Sequence, residues 1–591
     1  MNQILKFLSL YFFSFSIFAE HINHECGIAL VRLLKPLNHY VEKYDDPEWG
    51  LKKVCMLMEK QRNRGQDGVG LAFLKLDMPA GTLFFKRIRS AKENALEDLF
   101  NKLVKKSTNQ NCFSTEEIKI KNLFAAEIYL GHLRYGTFAG NGIGYCQPFV
   151  RKHNEAEKNF ALAGNFNLTN IEELKTKFNL KNENTADTQI IIDLICNAID
   201  ENENLELSQI LKNIVINFDG GFVFSGILGN GDIFILRDPY GIRPAFFYKD
   251  EEVFAASSEK SALMSTFNAD QNDIFALKPG HIIIVKKNGQ IEEHNFVNNQ
   301  FPVRQCTFER IYFSRASDPQ IYHQRKMLGK NLASRVIEAI NSDIQNTVFT
   351  YVPNTSEIAF LGLVEEIRKL TNQNVRTEKI ITKDQLLRTF ITRDESRIKL
   401  VNHIYDFTKD LIKPTDALVV VDDSIVRGTT LRESIIKELI NLNPKKIIIV
   451  SSAPMIMYPD CYGIDMSQIG KLIAFNAAIA LLKENNKEEL IDKIAQNCNE
   501  DCKINNIEQI YKLFSQQDLE NKISQMLTPK NINWAGTVQV IFQTIEGLHN
   551  AMPEYKGDWY FTGQYPTNGG YKVVNKSFLN WYNGASNLRA Y

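Results

Sequence analysis

Between Cys26 and about residue 290 the chain alternates short apolar runs with turn-forming residues: "CGIALVRLL", "GVGLAFLKL", "EIYLGHLRYG", "FALAG", "GFVFSGIL", "DIFILRD", "EVFAASS" and "HIIIVKK". Runs this short, bounded by Gly, Asn, Asp and Ser, predict strands, and the amphipathic "TQIIIDLICNAID" from Thr188 to Asp200 predicts a helix among them. An α+β layered structure dominated by antiparallel strands follows. The polar stretch Lys286 to Gln305 marks a boundary, after which the rhythm becomes strand then helix. "NTVFTYVP" leads into "TSEIAFLGLVEEIRKL", and "ALVVVDDS" into "TTLRESIIKELINL", followed by "KKIIIVSSAP". That alternation predicts an α/β unit with a parallel sheet and crossover helices, where ligands collect beyond the carboxyl ends of the strands. From about Lys483 the pattern is charged and helical, and it finishes in an aromatic, Gly-rich tail. The expected units are a leader, 1–25, then 26–300, 301–482, and a mainly helical C-terminal extension, 483–591.

Composition narrows the function. A chain of 591 residues with 44% hydrophobic content can bury several cores. Sixty-nine basic residues balance sixty-nine acidic ones, so a general nucleic-acid binder is not expected and any phosphate must be held locally. Nine cysteines without framework spacing fit a reducing compartment, and a cytoplasmic protein is expected. Lys6 followed by "FLSLYFFSFSIFA" resembles the start of a signal peptide, but Ile17 is a poor small-residue match before a cut at Ala19, and the run is too short for a membrane span. No membrane association is expected.

The sharpest chemical signal is "VVVDDSIVRGTT". Asp422 and Asp423 end a buried strand, and the residues from Ser424 to Thr430 join it to a helix. Backbone N–H groups near Gly428 and Thr429, with the helix N-terminus, can cradle a phosphate, while carboxylates accept hydrogen bonds from vicinal sugar hydroxyls. A ribose 5-phosphate satisfies both halves. Asp-Asp-Ser alone reads more simply as a helix cap, but the twelve-residue run does not.

That run resembles the phosphoribosyl pyrophosphate (PRPP) loop of type I phosphoribosyltransferases, and in this wording the amidophosphoribosyltransferase family. The resemblance implies PRPP contacts from Asp422, Asp423, Ser424, Arg427, Gly428, Thr429 and Thr430, from Asn354, Thr355 and Ser356 in the pyrophosphate loop "VPNTS", and from Arg388 in the mobile-loop stretch "RTFI". Asn354 stands where many members carry Glu, and Met457 where Arg is expected. Mg2+ is implied with the diphosphate, Asp422 and Asp423 being the candidate metal-facing carboxylates.

The N-terminal half is similar to the class II, N-terminal-nucleophile glutamine amidotransferases through "ECGI", "RGQDGVG", "GHLRYGT", "GNFNLTN", "ADTQ", "RDPYGIRP" and "SSEKSAL", in the family's order. This implies an αββα sandwich. It also implies Cys26 as nucleophile, with its own α-amine as base once residues 1–25 are removed, Arg134 as glutamine carboxylate clamp, and Asp187 on the α-ammonium. Asn165, through its amide, and Phe166, through its backbone N–H, would form the oxyanion hole, with Phe166 replacing the usual Gly and Asn63 a frequent His. Some members carry a four-cysteine iron–sulfur cluster ending in C-x-x-C, but the corresponding text here is "GDWY", Gly557 to Tyr560, and no cluster is expected. The resemblance further implies glutamine, PRPP and purine nucleotides as ligands, a homo-oligomer, and synthesis of 5-phosphoribosylamine, the committed step of purine synthesis. A sugar-phosphate amidotransferase or a non-catalytic nucleotide sensor would be the rivals.

Overall fold

The computed structural model describes residues 26–104, 114–136, 142–180, 186–202, 205–297, 301–383, 405–429, 431–464, 466–529, 533–585, 588 and 590. The leader, Arg388 and Thr430 lie outside these residues.

The described residues of the N-terminal unit form the strands β1 (Gly27–Leu33), β2 (Gly68–Leu74), β3 (Phe85–Ser90), β4 (Ile128–Arg134), β5 (Phe149–Arg151), β6 (Phe160–Leu168), β7 (Gly220–Leu228), β8 (Ile233–Arg237), β9 (Phe246–Lys249), β10 (Val253–Ser257), β11 (Ile274–Ala276), β12 (His281–Val285) and β13 (Ile291–Asn295). They form two antiparallel sheets, ordered β11-β9-β10-β1-β4-β2-β3 and β13-β12-β8-β7-β6-β5. Period-two alternation divides each strand between two cores. Ile28 and Leu30 of β1, Ile128 and Leu130 of β4, and Ala161 and Ala163 of β6 meet in the core between the sheets. Ala29, Val31 and Leu33 instead face the helices outside the first sheet, and Phe160, Leu162 and Leu168 face those outside the second. Burial on both faces explains why these strands read as continuous apolar runs. The arrangement is the helix–sheet–sheet–helix sandwich.

The second unit is built on β14 (Thr347–Tyr351), β15 (Arg376–Thr377), the small ribbon β16 (Ile381–Lys383) with β17 (Tyr405–Phe407), and then β18 (Ala417–Asp422), β19 (Lys446–Ser451) and β20 (Thr537–Phe542). The five-stranded sheet runs β15-β14-β18-β19-β20, every pair parallel. Leu418 and Val420 pack on one side of it, Val419 and Val421 on the other. β20 corrects the expected boundary at 482: Thr537–Phe542 pairs along all of β19, so the sheet is completed from within the C-terminal extension. The rest of the described extension is mainly helical, ending in the helix Asn568–Tyr582. Among the described residues no helix is long and apolar enough to cross a membrane.

Candidate active sites

Strand register assembles the first site. Gly27 pairs with Leu133, so one step back along β1 sets Cys26 opposite Arg134. Cys26, His132 and Arg134 share the parity of Ile28, Leu30, Ile128 and Leu130, and Asn165 that of Ala161 and Ala163, so all four project into the space between the sheets. Cys26 is half-buried; desolvation pushes its thiol pKa up, opposed by a backbone hydrogen bond from Tyr135 and by the charge of Arg134. A thiol held protonated in this way needs a base to become a nucleophile. Arg134 is buried, with its guanidinium 5.5 Å from the Tyr145 ring centre. Asp187 begins the helix Asp187–Glu201.

Asn165 is buried and its Nδ2 has no hydrogen-bond partner, a costly state for an amide unless a ligand acceptor completes it. Beside it, the Gly164 N–H donates to Gln147 Oε1 (2.6 Å), and Gly164 O accepts from Gln147 Nε2 (3.2 Å) and meets His132 Nε2 (3.2 Å). These bonds lie on the β6 edge that β5 covers only at Phe160–Leu162. Alternation puts the Phe166 N–H on that same edge, beyond the end of β5. The Phe166 ring packs on Phe224 at 4.7 Å and its backbone stays in the strand region, which is how a Phe occupies the usual Gly position. Burial pulls the His132 imidazole down to about 3, so it is neutral at physiological pH.

The second site lies beyond the carboxyl ends of β14 and β18. Asp422, Asp423, Ser424, Arg427 and Gly428 line an open cleft together with Pro353, Asn354 and Thr355. The loop is pinned: Ser452 N donates to Asp422 O (2.9 Å), Ala453 N to Asp423 O (3.0 Å) and Ile473 N to Val426 O (2.8 Å). Gly428 has φ +78°, and a Cβ there would lie 2.4 Å from Ile473 Cδ1, so the turn requires glycine. Desolvation raises the carboxyl pKa of both half-buried aspartates, and for Asp422 the neighbouring Asp423 charge adds to it. Ser356 departs from expectation: its hydroxyl closes on Val352 O, and it does not line the cleft. Thr429 also lies outside the lining, exposed at the start of the following helix. Three lining residues escaped sequence reasoning: Tyr312, Lys383 and Tyr405. Lys383 was legible only as a cation ending the apolar "KIIT".

One turn touches both sites. Tyr312 faces the cleft, while Glu309 in the same Glu309–Phe313 turn receives Arg64 Nη1 and Nη2 (3.1 and 2.8 Å). Arg64 also donates through Nε to Glu259 (2.9 Å), and its Cβ lies 3.3 Å from where a Gly27 Cβ would be. Asn63 Nδ2 joins the same link, donating to Glu259 Oε1 (2.6 Å) and Phe313 O (3.0 Å).

A family profile described as "Glutamine amidotransferase domain" matches residues 143–265. The amidophosphoribosyltransferase of Methanocaldococcus jannaschii is 29% identical over 72% of this chain and 85% of its own length. That of Staphylococcus epidermidis is 30% identical over 61% of this chain and 70% of its own. The chain belongs to the amidophosphoribosyltransferase family. Glutamine PRPP amidotransferase from B. subtilis, solved with ADP and GMP, shares the fold: TM-score 0.65 and 22% identity, covering 92% of this chain and 97% of that one. Enzymes of this family transfer the amide nitrogen of glutamine to PRPP, giving 5-phosphoribosylamine, glutamate and pyrophosphate.

Two cofactors of the amidophosphoribosyltransferase family can be tested against these residues. No group of three or more His, Cys, Asp or Glu side chains is gathered as a metal cage among the described residues. Two carboxylates beside an open cleft do fit Mg2+ that takes its other ligands from phosphates and water. The iron–sulfur donor set does not fit. Cys306 and Cys461 are buried thiols, but the Tyr560 hydroxyl fills the space beside Cys306, 2.7 Å from Thr307 Oγ1, 2.6 Å from Phe308 N and 3.5 Å from Cys306 Sγ.

Proposed function

We propose that the chain makes 5-phosphoribosylamine from glutamine and PRPP, the first committed step of purine synthesis, with the two halves of the reaction at the two sites described. The observation that carries the first half is the unpartnered amide of Asn165 on the same inter-sheet face as Cys26. Cys26 Sγ attacks the glutamine carboxamide carbon, and ammonia leaves as a thioester forms. Water then hydrolyses the thioester to glutamate. The base is the α-amine of Cys26, which requires scission of the Glu25–Cys26 bond. Arg134 pairs with the substrate carboxylate, Asp187 with its ammonium, and Asn165 Nδ2 with the Phe166 N–H holds the developing oxyanion.

At the second site ammonia displaces pyrophosphate from C1 of PRPP. Asp422 and Asp423 hold the ribose hydroxyls and face the positive charge that develops on the ring. The Ser424–Thr430 loop cradles the 5-phosphate, and the 353–355 loop and Arg388 take the diphosphate. Mg2+, bound with the diphosphate beside Asp422 and Asp423, supplies charge neutralisation for the leaving group. The ADP and GMP bound to the B. subtilis relative support purine nucleotides as further ligands of a cytoplasmic homo-oligomer.

Cys26→Ala tests the division of labour. Glutamine-dependent pyrophosphate release from PRPP should vanish, while release driven by concentrated ammonium persists within about twofold. Loss of both from a folded protein would overturn the assignment of two separate sites.

A further inference from the structure

The strand carrying Asn165 and Phe166 is held by more than its own sheet. On its N-terminal side Gly164 is fixed by Gln147 and His132, as described. On the other side, Asn167 Nδ2 donates to Cys461 O of the second unit. Two residues later Thr169 meets Asp219, its N–H on Asp219 O (2.8 Å) and its hydroxyl on Asp219 Oδ1 (2.5 Å). The same carboxylate reaches the start of the helix Asn568–Tyr582. Thr567 Oγ1 donates to Asp219 Oδ1 (2.6 Å), and Gly569 N to Asp219 Oδ2 (3.1 Å).

The far side of this link is rigid too. Thr567 caps its helix by accepting from Gly570 N (3.4 Å), its hydroxyl lies 3.0 Å from the Tyr462 hydroxyl, and its N–H donates to that Tyr462 oxygen (3.3 Å). The approach leaves no slack: a Cβ on Gly569 would lie 1.8 Å from Thr169 Oγ1 and 2.4 Å from Asp219 Oδ1. Thr567 is buried and Asp219 half-buried, so the carboxylate meets the helix N-terminus at the edge of the packed region.

We propose that Thr567 and Asp219 form a positioning clamp through which the C-terminal extension sets the oxyanion donors of the glutaminase, some 400 residues earlier in the chain. This deepens the glutaminase reading and rests on it. Thr169 lies four residues beyond Asn165, about 13 Å at strand rise, so the clamp touches no substrate. It fixes the angle at which β6 presents the Asn165 amide and the Phe166 N–H. Its effect belongs to the transition state, where the oxyanion exists, more than to binding of glutamine.

The test compares Thr567→Val, Thr567→Ser and the unaltered full chain. Thr567→Val removes the hydroxyl at nearly constant volume and should lower kcat for glutamine hydrolysis about tenfold while KM for glutamine stays within about twofold, since small misplacement of reacting groups acts on rate. Affinity for glutamate γ-semialdehyde, whose adduct with the thiol presents an oxyanion, should fall in the same proportion. Ammonium-driven pyrophosphate release should be unchanged, and Thr567→Ser should restore both glutaminase readings. Unchanged kcat in Thr567→Val, a rise in KM alone, or equal loss of the ammonium-driven activity would overturn the clamp. If instead Cys26→Ala keeps glutaminase activity, the site reading itself fails, whatever Thr567→Val does.

Discussion

His132 shows what a single residue contributes and what its sequence context hides. In "GHLRYG" it looks like an ordinary core histidine. Only the register of β4 aims it between the sheets, against Gly164 O. Its bond to that carbonyl needs a proton on Nε2, and burial opposes a second proton on Nδ1, which has no partner. Because its folded pKa lies below the ordinary value of about 6.5, its neutral form favours folding. Stability is therefore undiminished above pH ~6.5 and declines as pH falls from there towards 3, by at most about 1.4 kcal/mol per unit. Denaturant midpoints of the native protein and His132→Gln between pH 7.5 and 5 check this: the substitution should flatten the decline, and equal slopes would refute it. Cys26, Arg134, Asn165, Asp422 and Asp423 stood out as candidates because each sits in a contiguous motif. Gln147 and Lys383 did not, since their roles arise from contacts outside any motif. For the aspartates, Asp422→Asn and Asp423→Asn keep volume but remove charge, and each should slow phosphoribosylamine formation by about tenfold or more while a basal glutaminase rate survives. Unaltered PRPP affinity and turnover in both variants, measured by pyrophosphate release, would remove them from the ribose site.

Among elements, the long buried strands were readable, while short or half-exposed ones such as β3, β5 and β13 were not. The two-face burial of β1, β6 and β18 is written in their apolar runs, and the sandwich and the parallel sheet follow from it. β20 was missed because helices intervene after β19 and nothing local says that Thr537–Phe542 returns to β19. The Glu309–Phe313 turn is another element invisible to sequence. Its Glu309 pairs with Arg64, 245 residues away, with both side chains essentially inaccessible. Burying such charges is costly, and removing Arg64 strips two buried carboxylates, Glu309 and Glu259, of the cation they share, so Arg64→Leu should destabilise the protein by about 3–5 kcal/mol. The exposed Lys572–Glu173 pair is the control: Glu173→Ala should change stability by no more than about 1 kcal/mol. Urea denaturation of the two variants checks the contrast, and similar losses in both would mean that burial does not govern these pairs.

At the scale of the molecule, two chemistries share one body. Arg64, Glu309 and Tyr312 join them through one turn, and Asp219, Thr567 and Tyr462 join the glutaminase strand to the extension. The sequence motifs named both chemistries but could not show that the units lock together, because locking uses side chains hundreds of residues apart. The α-amine base also makes a demand on the whole chain: mature enzyme should begin at Cys26. Intact-mass analysis and N-terminal sequencing of active protein from its native cell check this, and an active chain beginning at Glu20 would contradict it. The most direct test of the whole account is a nitrogen balance. Amide-15N glutamine and PRPP are supplied together, and glutamate, pyrophosphate and labelled 5-phosphoribosylamine are measured in one reaction. The account predicts equal amounts of all three, with the label in the amine. Glutamate formed without pyrophosphate, or pyrophosphate released with no label in the product, would contradict it.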